Sequence, residues 1–122
     1  MITKIAVVAI GGFVGSICRF AFINLIKKHY SFAIPMPTII INLLGSFLLG
    51  LVVGLRVENL PYLLFGIGFL GAFTTFSTLA VEGVQLVLAH QKKGFLQYIF
   101  FSFIGGILFA FLGCWTGNFI TI

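Results

Sequence analysis

Four long apolar stretches constrain the fold of this chain more than any other feature. In each of them apolar side chains predominate and charged side chains are rare. Hydrophobic residues make up 61% of the 122 residues, and charged residues only 7%. A soluble domain must present polar surface to water, whereas a helix that crosses a lipid bilayer needs about 20 largely apolar residues. The sequence therefore predicts an all-α membrane protein with four transmembrane helices in a single domain over residues 1–122.

Short polar segments separate the four stretches and set the predicted span boundaries. Lys27 and Lys28 follow the first stretch, and prolines at 35 and 61 precede the second and third. Charged loops and prolines at helix starts are typical boundary signals. The predicted spans cover roughly residues 3–26, 38–55, 62–89 and 95–119. Because the loops are too short to fold alone, function is expected to reside within the spans.

The third stretch is interrupted near its centre by polar residues. The interruption reads Gly71-Ala72-Phe73-Thr74-Thr75-Phe76-Ser77-Thr78. In hydrocarbon, irregular backbone survives only where protein covers it or where it lines a wet cavity. A break frees carbonyls that can hold a cation and amides that attract an anion. The octet predicts a third helix broken near its centre, with an ion site there and with its second half starting near Thr75. The structural alternative is a kink at Gly71 with threonines bonded to the preceding turn.

Several polar residues in the other spans have both a functional and a structural interpretation. Arg19 either serves function, as charges within a membrane usually do, or extends to the interface or to backbone carbonyls. Asn42 either offers amide donors to an anion or bonds a neighbouring helix. Tyr98 and Ser102 are four residues apart on one stripe of the fourth helix, which Gly106 continues without a hydroxyl. This stripe is either a hydroxyl track along a pore or a local packing feature.

Pairs of small residues occur in every span and permit close packing of helices. Examples are Gly11 with Gly15 and Gly113 with Gly117. Such pairs suit packing within one chain and packing between two copies equally well. Among the loop and terminal charges, two basic residues lie on one predicted side of the membrane and four on the other. This weak bias indicates either an outside N-terminus or a chain that inserts in both orientations.

Three other classes of membrane protein fit the sequence less well. A small four-span multidrug exporter needs a carboxylate early in its first span, and none precedes Arg19. A non-transporting assembly protein would explain the glycine pairs but not the octet. Glu82 is the only acidic residue within a span and could serve as an exporter's exchange site. It lies near a helix end, however, where a solvated position is expected. His29 and His90 lie in loops, and no nucleophile-base or metal-ligand spacing is visible, so the chain is predicted not to be an enzyme.

Three motifs lie each in its own span. They are Gly11-Gly12-Phe13-Val14-Gly15 followed by Arg19-Phe20, then Asn42-Leu43-Leu44-Gly45-Ser46-Phe47, and then the octet. Together they resemble the Fluc (also called CrcB) family of small fluoride channels. The resemblance covers nearly the whole chain. It implies a passive, fluoride-specific channel in the cell membrane, through which cytoplasmic fluoride leaves down its electrochemical gradient. Such export would reduce fluoride toxicity to the cell. The partners implied are fluoride and membrane lipid, with no nucleic acid.

The resemblance also implies an assembly and a set of site residues. The assembly is an antiparallel, dual-topology dimer with two pores, expected to be a homodimer, with a heterodimer of paired homologues as the alternative. A central structural Na⁺, which is not transported, would be bound by the backbone carbonyls of Gly71 and Thr74. The implied fluoride pore residues are Asn42, Phe76, Ser77, Thr78, Tyr98, Ser102 and Arg19. The family usually has a second phenylalanine where this chain has Leu79, and we expect fluoride conduction to persist.

Overall fold

The computed structural model describes residues 1–29 and 34–122, and this part of the chain is helical without strands. Four helices in it are long and apolar enough to cross a membrane. They span Ile2–His29, Met36–Gly54, Asn59–Leu88 and Lys92–Thr121. Most large apolar side chains on their outer faces are exposed, as expected where helices meet lipid. The prediction of an all-α, multi-pass membrane protein with four transmembrane helices is confirmed.

The third helix is irregular in its first half and broken at its centre. A π-helix covers Tyr62–Leu70, which the sequence did not indicate, and one short α-turn follows at Gly71–Phe73. At Thr74 the backbone becomes extended, with φ −81° and ψ 161°. The α-helix resumes over Ser77–Leu88. The predicted central break is therefore present, although the second half begins two residues after the predicted start near Thr75.

The first helix packs against the N-terminal half of the third helix through glycine. Gly11 faces the Leu64 carbonyl, and Gly15 faces the carbonyl of Phe69. A Cβ atom at either glycine would overlap these backbone atoms. The glycines therefore allow the two backbones to touch, which is the main source of attraction between helices in lipid.

The second and fourth helices form a similar pair and run parallel to each other. Gly50 lies against Ala110, and Gly54 lies one turn further along, against Cys114. Gly113 in turn faces the Phe47 carbonyl. Of the two interpretations open for the glycine pairs, packing within one chain is the one observed.

A small apolar core joins the second helix, the C-terminal half of the third and the fourth. Its buried members are Ile39, Leu79, Leu86 and Tyr98. Tyr98 is fully buried, and Leu79 is only 6% exposed. This core fixes the position of the helix that follows the break, and so places the break against the second and fourth helices.

We expect Gly11→Ala to destabilise the protein and Gly12→Ala to leave its stability unchanged. The added methyl group at residue 11 would overlap the Leu64 carbonyl, whereas the nearest atom to a Cβ at residue 12 is the Gly68 oxygen, 3.8 Å away. Overpacking of this kind costs about 1–3 kcal/mol. The thermal unfolding midpoint in detergent micelles measures both effects. Equal midpoints for the two variants would contradict close backbone packing at Gly11.

Candidate functional site at the helix break

Asn42 of the second helix holds the broken backbone of the third helix. The Thr75 N–H donates to Asn42 Oδ1 at 2.9 Å, and Asn42 Nδ2 donates to the Thr75 carbonyl, also at 2.9 Å. The side-chain amide thus pairs with the peptide groups of Thr75 much as a neighbouring strand would. Because an asparagine amide has two N–H bonds, one of them remains for a further acceptor. Asn42 therefore bonds a neighbouring helix, as its structural interpretation expected, and keeps a free donor.

The side chain of Thr75 caps the helix that resumes after the break. Its Oγ1 accepts a hydrogen bond at 3.2 Å from the N–H of Thr78, which lies in the first turn of that helix and has no acceptor within it. The same hydroxyl lies 3.1 Å from Thr78 Oγ1 and 3.4 Å from Ser77 Oγ. Thr75 is 7% exposed and is the centre of this hydroxyl cluster. This cap explains why the helix begins at Ser77 and not at Thr75.

These two sets of bonds release the two backbone carbonyls that were predicted to bind a cation. In an unbroken helix, the Gly71 carbonyl would accept from the Thr75 N–H and the Thr74 carbonyl from the Thr78 N–H. In this structure the first N–H donates to Asn42 and the second to the Thr75 hydroxyl. Both carbonyls therefore lose their helical donors. The Thr74 hydroxyl bonds back to the Leu70 carbonyl at 2.9 Å, as the structural alternative expected.

Arg19 of the first helix reaches the same break from another side. Its Nη1 lies 3.5 Å from the Thr74 carbonyl oxygen, at the long limit of a hydrogen bond. The guanidinium is partly buried and does not line the open cavity beside the break. The structure thus places Arg19 beside a backbone carbonyl, which agrees with the structural interpretation that it extends to backbone carbonyls.

That open cavity, of about 300 Å³, lies between the break, the second helix and the fourth helix. Among its lining residues are Asn42, Ser46, Gly71, Thr74, Thr75, Phe76, Leu79 and Ser102. The Ser102 hydroxyl is buried and has no hydrogen-bond partner among the described residues. The cavity therefore brings together donors from three helices that are far apart in the sequence.

Five of the seven predicted pore residues fall into two groups around this cavity. Asn42, Phe76 and Ser102 line it, whereas Ser77 and Thr78 stand behind Thr75 at the start of the resumed helix. Phe76 is 70% exposed. Thr75 lines the cavity as well, although it was not among the predicted pore residues. Its position within the octet could have indicated that Thr75 belongs to the site.

Tyr98 lies outside the cavity and belongs to a buried polar cluster. Its hydroxyl donates to Glu82 Oε1 at 3.3 Å, and the Thr38 hydroxyl donates to the same oxygen. Thr38 is only 2% exposed. Glu82 was expected to be solvated near a helix end, but it accepts two hydrogen bonds from neighbouring helices. The four-residue spacing from Thr38 to Asn42 could have indicated that the two share a face.

A broken helix inside a membrane protein, with carbonyl and hydroxyl groups around an open cavity, defines a class of membrane proteins that handle ions. Comparison with known proteins gives the family. The chain belongs to the CrcB family, because the model described as CrcB-like protein, Camphor Resistance (CrcB) matches residues 6–114.

Relatives with established names agree with this assignment. A protein of Bacillus cereus named fluoride-specific ion channel FluC 2 is 49% identical over 111 residues, covering 91% of this chain and 94% of the relative. A FluC 1 of Geobacillus kaustophilus is 42% identical, covering 91% and 95%. A FluC 2 of Lactobacillus acidophilus is 37% identical, covering 85% and 89%. The resemblance seen in the three motifs is confirmed, and so is the expectation that the chain is not an enzyme.

Proposed function

We propose that the chain forms a passive, fluoride-specific channel through which cytoplasmic fluoride leaves down its electrochemical gradient, reducing fluoride toxicity. The observation that carries this proposal is the cavity at the helix break, lined by neutral donors in a protein whose relatives are named fluoride-specific ion channels. Fluoride is small and strongly hydrated, so its donors must replace water at close range. Neutral donors bind it less tightly than a buried charge would, which permits release as well as entry.

In this proposal the free Asn42 N–H and the hydroxyl of Ser102 contact the ion directly. Both residues line the cavity, and the Ser102 hydroxyl is buried and unpartnered among the described residues. Ser77 and Thr78 support the Thr75 hydroxyl. Phe76 offers the positive edge of its ring, and Leu79 forms an apolar wall. Tyr98 and Arg19 belong to the proposed pathway without lining the cavity, since Tyr98 bonds Glu82 and Arg19 lies beside the Thr74 carbonyl.

A second, antiparallel copy of the chain completes two pores. The exposed Phe76 ring and the open space around Gly71, where a Cβ would meet nothing within 4 Å, leave the cavity mouth uncovered in one protomer. The weak charge bias of the loops suits insertion in both orientations. We propose a homodimer, with a heterodimer as the alternative because the relatives include both FluC 1 and FluC 2 proteins.

A structural Na⁺ between the two copies fits the released carbonyls. Gly71 and Thr74 would each provide one backbone oxygen per protomer, and hard cations prefer oxygen ligands. Two oxygens cannot enclose an ion, so four from two copies are needed. The Arg19 guanidinium, 3.5 Å from the Thr74 oxygen, opposes a cation there unless it turns away in the dimer. When bound, the Na⁺ would hold the two breaks together and would not be transported.

Fluoride efflux from liposomes tests this proposal. We expect the purified protein to release trapped fluoride, measured with a fluoride electrode, and to release no chloride beyond that of empty vesicles. Replacing Na⁺ with N-methylglucamine throughout purification should reduce the efflux. Fluoride efflux equal to that of empty vesicles, from well-folded protein, would contradict the channel. Equal chloride efflux would contradict specificity, and Na⁺-independent efflux would contradict the sodium site alone.

A further inference from the structure

The second helix carries polar residues at regular four-residue steps. They are Thr38, Asn42 and Ser46. Residues four apart on a helix lie on the same face, one turn above each other. Thr38 contacts Glu82, while Asn42 and Ser46 both line the cavity at the break. The second helix therefore presents a polar stripe toward the third and fourth helices.

This stripe matches the stripe on the fourth helix level by level, because the two helices run parallel. At the first level, Thr38 and Tyr98 donate to the same Glu82 oxygen. At the second level, Asn42 and Ser102 line the same cavity. Each of these levels has a polar group from both helices.

At the third level, only the second helix has a polar side chain. The fourth helix has Gly106 there, and a Cβ built on this glycine would lie 3.5 Å from Ser46 Oγ. A side chain at residue 106 would thus point at the Ser46 hydroxyl. The Ser46 hydroxyl therefore lies close to the position that a hydroxyl at residue 106 of the fourth helix would occupy.

The Ser46 hydroxyl is also available for a ligand. Serine and threonine within helices commonly bond the carbonyl of the preceding turn, as Thr74, Thr116 and Thr121 do in this chain. Ser46 makes no such bond, and its hydroxyl has no partner within residues 1–29 and 34–122. Ser102, one level away on the facing helix, is unpartnered in the same way. Two free hydroxyls at successive levels of one cavity suit an anion that passes from one to the next.

We propose that Ser46 contacts the permeating fluoride and supplies, from the second helix, the hydroxyl that the fourth helix lacks at Gly106. This inference rests on the proposed function. An ion that leaves Asn42 would meet Ser46 one helical turn further along, at a distance of about 6 Å. The pathway then remains lined by donors beyond the point where the fourth-helix stripe loses its hydroxyl.

Fluoride efflux from liposomes again provides the test. Ser46→Ala should reduce the efflux rate by about fivefold, the factor expected for one neutral hydrogen bond. Ser46→Cys, which keeps the size of the side chain but donates weakly, should give a similar loss and guards against misfolding of the alanine variant. Ser16→Ala is the matched control, because Ser16 is exposed on the first helix and outside the cavity. Its efflux should equal that of the unmodified protein.

The decisive variant moves the hydroxyl to the facing helix. Adding Gly106→Ser to Ser46→Ala should restore at least half of the lost efflux, because the new side chain starts beside the vacated position. Unchanged efflux in Ser46→Ala would overturn the inference while leaving the channel proposal intact. A loss that Gly106→Ser does not restore would show that Ser46 acts through packing, and would also overturn it. Absence of fluoride efflux from the unmodified protein would overturn both proposals.

Discussion

Replacement of Asn42 by alanine is expected to abolish fluoride efflux and to destabilise the fold by about 2–6 kcal/mol. The side-chain amide pairs with both the N–H and the carbonyl of Thr75, which is 7% exposed. Each buried backbone group left without a partner costs about 1–3 kcal/mol. Without Asn42, the broken backbone loses its hydrogen bonds to the second helix, and the cavity at the break loses its amide donor. Chemical denaturation in detergent and a fluoride electrode measure the two effects.

Two further substitutions separate the loss of the Asn42–Thr75 hydrogen bonds from a general effect of losing asparagine. Asn42→Asp keeps an acceptor for the Thr75 N–H but cannot donate to the Thr75 carbonyl, so its stability should lie between those of the unmodified protein and Asn42→Ala. Asn118 is exposed near the end of the fourth helix, and its side-chain amide donates to the Cys114 sulfur at 3.9 Å. Asn118→Ala should change neither stability nor efflux. Normal stability of Asn42→Ala would show that the break is held by other contacts.

The parts of the fold that depend on local sequence could be predicted. A span is recognised by its own apolar length, and the break is recognised by the octet within one span. The glycines were recognisable as packing positions, but their partners were not. Gly11 meets Leu64 and Gly50 meets Ala110 only because particular helices are neighbours. No periodicity within a single helix carries that information.

The candidate site could be predicted in its residue types but not in its bonding. Asn42 and Thr75 are 33 residues apart, so their pairing depends on how the second helix crosses the third. The sequence left Asn42 either as an anion donor or as a bond between helices, and the structure shows the bond together with one N–H to spare. The Thr75 cap moved the start of the second half-helix because side-chain bonds compete with backbone bonds at helix ends.

Leu79 has a packing explanation that the sequence did not provide. It is buried with Ile39, Leu86 and Tyr98 while also lining the cavity. A phenylalanine at this position would have to fit an additional ring into that core, and overpacking costs about 1–3 kcal/mol. Leu79 gives the cavity an apolar lining there and has no ring edge to offer to an ion.

Glu82→Ala is expected to have the second large effect, because one carboxylate oxygen holds two buried hydroxyls. Tyr98 and Thr38, which are 0% and 2% exposed, both donate to it. Its removal leaves both hydroxyls without an acceptor, at a cost of about 1–3 kcal/mol each. The Tyr98 ring then loses the contact that holds it at the first level of the stripe, and efflux should fall on the order of tenfold, which corresponds to a loss of about 1.4 kcal/mol.

The matched variants for this prediction are Glu82→Gln and Glu58→Ala. Glutamine keeps an acceptor oxygen at the same distance from the backbone, so the Tyr98 and Thr38 hydroxyls stay bonded and most of the stability is retained. Glu58 is the other acidic residue of the chain and is exposed in a loop, so its removal should change neither measurement. If Glu82→Gln lost as much stability as Glu82→Ala, the negative charge itself would be required. The buried cluster would then depend on charge, and neutral hydrogen bonding would not be enough to hold Tyr98 and Thr38.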